Sequence, residues 1–268
     1  MISKGGCMKI GLIAGSGFYK VKDFTVLQEK TLSTPFGKPS DVYFIGNFDK
    51  VELIFLPRHG LNHMIPPHQI NYRANLWGFK ELGVERIVSI NAVGGLRSNL
   101  VPGSIVIPDQ IIDFTKSRSS TFYDGPEVVH IDFTDPYCEE LRMNLLGSKI
   151  AKELELIDKG VYVAVEGPRL ETASEIRFFS QIGGTVIGMT AMPEAVLARE
   201  LAICYVNIAI VSNQAAGLSK QRLTTTEVIY TMKKSEHRIV GILKEWLPAL
   251  PVERICSCKD VLENAKFS

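Results

Sequence analysis

Short apolar runs alternate with longer stretches in which apolar residues recur every three or four positions, and Gly, Pro, Asn or Ser-rich turns separate the two. The first pattern is that of buried strands and the second that of amphipathic helices. Ile10-Gly11-Leu12-Ile13-Ala14 predicts a buried strand ending at Gly15-Ser16-Gly17, and the run 51–56 predicts another leading into Pro57-Arg58-His59-Gly60. Asn71 is placed to cap a helix carrying Leu76, Phe79 and Leu82 and stopping at Gly83. A strand is expected over 87–90, followed by a loop Asn91-Ala92-Val93-Gly94-Gly95.

The second half repeats this scheme. A strand over 160–165 leads through Glu166-Gly167-Pro168-Arg169 to Thr172-x-x-Glu175, a capping box for a helix ending at Gly183-Gly184. A strand over 185–188 precedes a helix with Pro193 in its first turn, and a strand over 204–211 ends at Ser212-Asn213. Thr224-x-x-Glu227 opens a long last helix whose Ile229, Met232, Ile239, Leu243 and Trp246 have the spacing of a core face.

Strand, polar loop and helix in repetition predict one α/β domain over 8–250, with a central sheet flanked by helices and a tail over 251–268. Residues 1–7 read as an extension before the first strand. At 268 residues and 46% hydrophobic content the chain can bury a large core. Ligands of such sheets bind at the carboxyl ends of strands. Here those ends carry Gly15-Ser16-Gly17, Arg58-His59, Asn91-Ala92, Met189-Thr190 and Ser212-Asn213.

Charge removes several alternatives. The formal net charge is +1, from 30 basic and 29 acidic residues, with no polybasic run, so neither nucleic acid nor an anionic membrane is the expected partner. No apolar stretch reaches the roughly 18 residues of a membrane span, and Cys7 lacks the apolar region of a lipoprotein signal, so a cytoplasmic location is expected. Five cysteines in a chain this long do not form a secreted disulfide scaffold. Cys256-x-Cys258 is too sparse for a structural zinc site, which needs about four ligands. It reads as two inert thiols or a tail disulfide, and Cys204 reads as core.

The motifs narrow the chemistry further. The glycines at 11, 15 and 17 do not make a dinucleotide fingerprint, and no Gly-Lys-Ser/Thr follows to make a P-loop. The Gly15-Ser16-Gly17 turn suits close approach of backbone N–H groups and a hydroxyl to an anion, and Arg58 at a neighbouring strand end strengthens that reading. His59, His63 and His68 are close in sequence, but Gly60, Pro66 and Pro67 prevent a helix from aligning them, and no catalytic metal is expected. Gly-x-Ser-x-Gly is absent, which leaves no serine-hydrolase elbow.

Seven motifs in order resemble a known family. They are Gly15-Ser16-Gly17, Thr34-Pro35-Phe36-Gly37-Lys38-Pro39-Ser40, Arg58-His59-Gly60, Asn71-Tyr72-Arg73-Ala74-Asn75, Asn91-Ala92-Val93-Gly94-Gly95, Glu166-Gly167-Pro168-Arg169 and Gly188-Met189-Thr190-x-Met192-Pro193-Glu194. Together they resemble the trimeric purine nucleoside phosphorylase and methylthioadenosine phosphorylase family, from about residue 8 to 246. The resemblance implies phosphorolysis without a metal or organic cofactor, inorganic phosphate being a co-substrate. It implies that Ser16, Arg58, His59, Asn91, Ala92 and Thr190 hold phosphate and that Met189 packs under the ribose. A homotrimer or a hexamer built from two trimers is implied as well.

Within that resemblance, two positions bear on the base. Adenine-cleaving relatives carry two aspartates where this chain has Asn213 and Ala215, flanking Gln214. An amide can donate to O6 and accept from a protonated N7. Glu171, beside Leu170, stands where 6-oxopurine relatives have a glutamate that accepts N1–H; its other reading is a first-turn helix charge. Thr225 and Ile229 are expected at the 5′ group, with His130 reaching over from a neighbouring subunit or, in its other reading, capping or packing locally. The sequence therefore points to 6-oxopurine nucleosides, with a 5′-hydroxyl or a 5′-methylthio group. A methylthioadenosine phosphorylase is the nearest alternative. A hydrolase of the same bond and a nucleotide-binding regulatory protein are more distant ones.

Overall fold

The computed structural model describes residues 8–15, 18, 21–218, 224–263 and 265–266. Among these, strands and helices alternate around one mixed sheet of eleven strands, in the order β2-β3-β4-β1-β5-β10-β9-β7, with β11 on the other side of β5 followed by β6 and β8. The strands that place the loops of interest are β1 (Lys9–Ala14), β4 (Val51–Pro57), β5 (Arg86–Gly95), β9 (Val161–Val165), β10 (Gly184–Gly188) and β11 (Cys204–Gln214). Strands β2 (Phe24–Lys30) and β3 (Tyr43–Phe48) extend one edge, while β6 (Ile105–Ile107), β7 (Gln110–Phe114) and β8 (Ile157–Asp158) lie toward the others. The predicted α/β class with a central sheet is the fold observed.

Parallel pairing of β4, β1, β5 and β11 brings the carboxyl ends of all four to one edge. Strand β10 runs antiparallel along the far half of β5, pairing Ile187 with Gly94, so the residues after it return toward Asn91. This pairing explains one departure from expectation. Residues 91–95 continue strand β5 instead of looping out, because β11 pairs with them on one side and β10 on the other.

Both faces are covered. On one, Ile239, Ile242, Leu243 and Trp246 of α6 (Thr225–Trp246) and Leu141 and Leu145 of α2 (Glu139–Gly147) pack against Ile10, Leu12, Val206 and Ile208. On the other, Leu76 and Phe79 of α1 (Tyr72–Glu81) and Ala195, Leu197 and Ala198 of α5 (Ala191–Glu200) pack against Ile13, Ile54 and Ile87. Helix α4 (Ala173–Gln181) seals a smaller cluster with Val163 and Ile187, and α3 (Lys149–Glu153) follows α2.

The caps form as their residue types require. Asn71 accepts from the Ala74 amide, Thr172 and Glu175 close both halves of the capping box, and Thr224 accepts from the Glu227 amide. In α5, Met192 and Pro193 are non-helical, so its regular turns begin only after the proline. Ile229 also departs from expectation: it is 67% exposed, and the buried positions of α6 begin only at Thr231.

Close helix–sheet packing rests on Gly78 at the centre of α1. A Cβ there would stand 2.1 Å from the hydroxyl of Tyr43, which is fully buried and donates 2.8 Å to the Asn75 carbonyl. Gly→Ala in a helix gains about 1 kcal/mol in propensity, whereas overpacking a rigid core costs about 1–3 kcal/mol. The clash should win: Gly78→Ala is expected to lower the chemical-denaturation midpoint, and a raised midpoint would show that α1 can move off β3.

Candidate active site

A buried polar network lies beneath the carboxyl ends of the parallel strands. Arg58, 2% exposed, follows β4, and Glu194, fully buried, comes from α5. The Arg58 Nε bonds Glu194 Oε1, and its Nη2 lies 3.1 Å from Glu194 Oε2 and 2.6 Å from Ser89 Oγ. The Ile90 and Ile13 carbonyls accept at Nη1 and Nη2. Tyr205 donates its hydroxyl to Glu194 Oε2 at 2.9 Å. Burial alone would lower the Arg58 pKa, but the adjacent Glu194 carboxylate more than offsets it and holds the cation.

The network extends upward through Asn91. Its side-chain oxygen lies 2.9 Å from Ser89 Oγ and accepts from Asn207 Nδ2, and its Nδ2 donates to Thr190 Oγ1. Thr190 is thereby used as an acceptor, which leaves its hydroxyl proton to donate elsewhere. Arg58 is turned toward the interior of the sheet, and one Nη1 hydrogen has no acceptor among the described residues. Ala92, next on β5, is exposed. The expected phosphate residue Ser16 lies outside the described residues.

His59 borders the same edge with a defined tautomer. Its Nδ1 is 2.8 Å from the Ile65 carbonyl, which can only accept, so Nδ1 carries the proton and Nε2 keeps its lone pair. Burial, then the neighbouring Arg58, push the His59 pKa down to about 4. His63 packs on its ring at 4.5 Å between centroids.

Further contacts link these loops to those expected at the base. Gly167, at φ +67°, leaves room for Met189: a Cβ there would stand 2.5 Å from the thioether sulfur. Gly217, at φ +81°, likewise lies against Ala173 at the start of α4. Between Val211 and Asn213 the β11–β5 register slips by one residue, so Ser212 is extra and Asn213 pairs with Gly94. Such a bulge re-aims the side chains beside it. Asn213 is 9% exposed, accepts from Ser212 Oγ at 2.7 Å and donates to the Gln214 carbonyl at 3.0 Å, which leaves one N–H and one lone pair of its amide.

Glu171 is half-buried, and its hydrogen-bond partner among the described residues is its own backbone amide. Burial, with a smaller push from Glu175, raises its pKa. The nearby Arg169 does not neutralise it, because both guanidinium arms engage Glu175 at 2.9 and 2.7 Å. Glu175 also performs the helix-capping role, so the first-turn reading does not describe Glu171.

The other predicted positions differ in burial and contacts. Ala215 is 2% exposed and packs with Ile176, Phe179 and Ile187, whereas Gln214 reaches the Ser98 carbonyl at 3.3 Å. Leu170 is 48% exposed, and Thr225 and Ile229 are exposed at the start of α6. His130 sits on an exposed segment, and its amide donates to the Ala265 carbonyl in the tail.

Arg118 is a residue that the motifs missed. Its Nη1 donates to the Met189 and Met192 carbonyls at 2.5 and 2.6 Å, and its Nη2 to the Glu166 carbonyl at 2.6 Å. It thus clamps the Met189 loop to the loop before Glu171. A lone arginine in the polar stretch Lys116-Ser117-Arg118-Ser119-Ser120 carries no sequence signal for that role.

Against this geometry, residues 9–248 match the family described as the phosphorylase superfamily. The chain belongs to that superfamily. It is 51% identical, over 97% of its length and 98% of the relative's, to a probable S-methyl-5'-thioinosine phosphorylase of Thermodesulfovibrio yellowstonii. It is 48% identical, over 96% of its length and 98% of the relative's, to an S-methyl-5'-thioadenosine phosphorylase of Pyrococcus horikoshii. A crystal structure of methylthioadenosine phosphorylase from an Antarctic soil metagenomic library superposes with a TM-score of 0.90 at 34% identity, covering 97% of this chain and 93% of the other. Overall identity thus hardly separates relatives named for different bases.

The state of His59 can be checked by its NMR titration. A base whose folded pKa lies below its unfolded value contributes stability that is lost as pH falls, here from about 6.5 toward 4. The His59 ring in the free protein should titrate near 4, and the midpoint should rise when phosphate is added. A midpoint near 6.5 that ignores phosphate would contradict the tautomer and the placement.

Proposed function

We propose that the protein is a purine nucleoside phosphorylase acting on 6-oxopurine nucleosides, releasing hypoxanthine or guanine and a pentose 1-phosphate. The observation that carries this reading is Glu171, a half-buried carboxylate that makes no salt bridge among the described residues because nearby Arg169 is engaged by Glu175, on the loop that Gly217 and Ala173 connect to Asn213. An ionised carboxylate there accepts N1–H of a 6-oxopurine and faces the lone pair of adenine N1 unfavourably. The free amide N–H of Asn213 suits O6, and its free lone pair suits N7–H as the base leaves. A mispaired polar contact of this kind costs about 1–3 kcal/mol, and sites built on such contacts discriminate by up to roughly 10⁴-fold.

The phosphate loops supply the other half of the reaction. Thr190 Oγ, exposed Ala92 and His59 border the position proposed for phosphate. Neutral His59 accepts a phosphate proton at Nε2, and the Arg58 charge lies beneath. Phosphate so placed attacks the anomeric carbon while the Asn213 amide N–H stabilises the negative charge that builds on the purine and Glu171 holds the base by its N1–H. Met189, clamped by Arg118, supports the ribose. We further propose a trimer or a dimer of trimers in the cytoplasm, in which His130 completes the neighbouring 5′ pocket beside Thr225 and Ile229. The exposure of all three in the single chain favours that arrangement, and exposed Ile229 accommodates a methylthio group.

The test is base release from inosine, guanosine, adenosine and their 5′-methylthio analogues, with and without phosphate. Phosphate-dependent release of hypoxanthine and guanine is expected, with the adenine nucleosides at least about tenfold slower. Asn213→Asp should shift the ratio toward adenine. The ratio should also shift toward adenine as pH falls and Glu171 gains a proton it can donate to N1. Preferential adenine release by the wild type, or release without phosphate, would overturn the reading.

A further inference from the structure

At the opposite end of β11 from Asn213, four cysteines meet. Cys204 begins the strand and Asn213 lies nine residues on, about 30 Å in an extended strand. The thiols of Cys138, at the N-cap of α2, and of Cys204, Cys256 and Cys258 all lie within 4.8 Å of one another, and all four cysteines are free. Cys256-x-Cys258, too sparse for a metal by its own spacing, is therefore completed by two residues that lie 52 and more positions away in sequence. We propose that this quartet is a tetrathiolate site for a borderline-soft divalent metal, zinc in the first instance, which fixes the C-terminal tail to the base of the sheet.

Ligand type and number are those of a closed structural zinc site, and a tetrahedron with metal–sulfur bonds of about 2.3 Å has sulfur–sulfur edges of about 3.8 Å. The observed quartet, with Cys204 and Cys256 at 3.3 Å, needs only small side-chain adjustments to reach that shape. The sulfurs converge on one point as a group of four.

Two arginines border the cluster. Arg199 is 8% exposed and makes no ion pair with a carboxylate among the described residues; its Nη1 lies 3.3 Å from Cys258 Sγ, and its Nε reaches a backbone carbonyl. A buried guanidinium without a carboxylate needs another anion. The sulfur cluster is the one it touches. Arg254 lies 4.0 Å from Cys204 Sγ and also pairs with Glu85. Four thiolates around a divalent ion carry two negative charges, which these two arginines offset. Glu140 orders the incoming loop by accepting from the Ile255 and Cys256 amides at 2.8 Å. A cleft bordered by Asp135, Glu139 and Glu140 opens onto the cluster and offers a cation an acidic path of entry.

Beyond the cluster, the tail carries Ala265, which accepts from the His130 amide, and Lys266, which bridges Val129. Anchoring the tail therefore also holds the segment that presents His130.

Metal content of the full-length protein, purified under reducing conditions and dialysed, is the test. About one zinc per chain is expected, with the cysteines of the quartet unreactive until a chelator removes it. Cobalt should replace it with the charge-transfer and d–d bands of a tetrahedral tetrathiolate. Cys256→Ser with Cys258→Ser should lose the zinc. If that variant fails to fold, the wild-type metal content and cobalt spectrum still decide. The proposal is overturned if the wild type takes up neither zinc nor cobalt. It is equally overturned if the unreduced, denatured chain proves to hold the four sulfurs as two disulfides.

Discussion

The pair formed by Arg58 and Glu194 is the contact on which the site depends. Both side chains are taken out of water, and removing one partner of such a pair typically costs about 3–5 kcal/mol because the other charge remains. Each is also fixed by further bonds: Arg58 to the Ile13 and Ile90 carbonyls, Glu194 to Ser89 and Tyr205. Two side chains thus tie β1, β4, β5 and β11 to α5. The chain following β1, β4 and β5 therefore starts from fixed points, and the loop residues above inherit that order through Asn91 and Thr190.

From this base, close backbone packing sets the rest of the cleft. Gly167 admits the Met189 thioether, Gly217 admits Ala173, and the extra residue Ser212 turns Asn213 over Gly94. None of these contacts is chemical in itself. Their effect is to bring the loop proposed to hold phosphate beside the loop proposed to read the base, with Arg118 bonded to the Met189 and Glu166 carbonyls. Rigid placement of this kind is what a phosphorolysis without a metal or cofactor needs from its protein, since the reaction depends on orientation and on charge-stabilising groups already in position.

Much of this was legible in the sequence, and the parts that were not have a common cause. Period and cap residues located β1, β4, α1, α4 and α6 because those signals are local: Asn71, Thr172 and Thr224 act on residues three positions away. The continuation of β5 through Gly94-Gly95 was hidden, since it depends on β10 and β11 arriving on either side. Ile229 has core spacing, yet it is exposed, since α6 buries side chains only from Thr231 onward. Arg118 and Glu194 are single charges whose roles arise from carbonyls and strands far away in sequence. The cysteine quartet illustrates this most plainly, because Cys138, Cys204 and the Cys256–Cys258 pair come from three separate segments. Asn213 and Glu171 were readable only through the family resemblance; the structure adds the bulge that carries the one and the Arg169–Glu175 pair that leaves the other without a salt bridge among the described residues.

The claim that a carboxylate and an amide select a 6-oxopurine is tested most directly by equilibrium binding. Hypoxanthine and adenine would be titrated calorimetrically, in turn, into the phosphate-saturated enzyme at neutral pH. The account predicts hypoxanthine binding at least about tenfold more tightly, the equivalent of roughly 1.4 kcal/mol, with that preference lost in Glu171→Gln. Adenine binding as tightly as hypoxanthine, or more so, would contradict it.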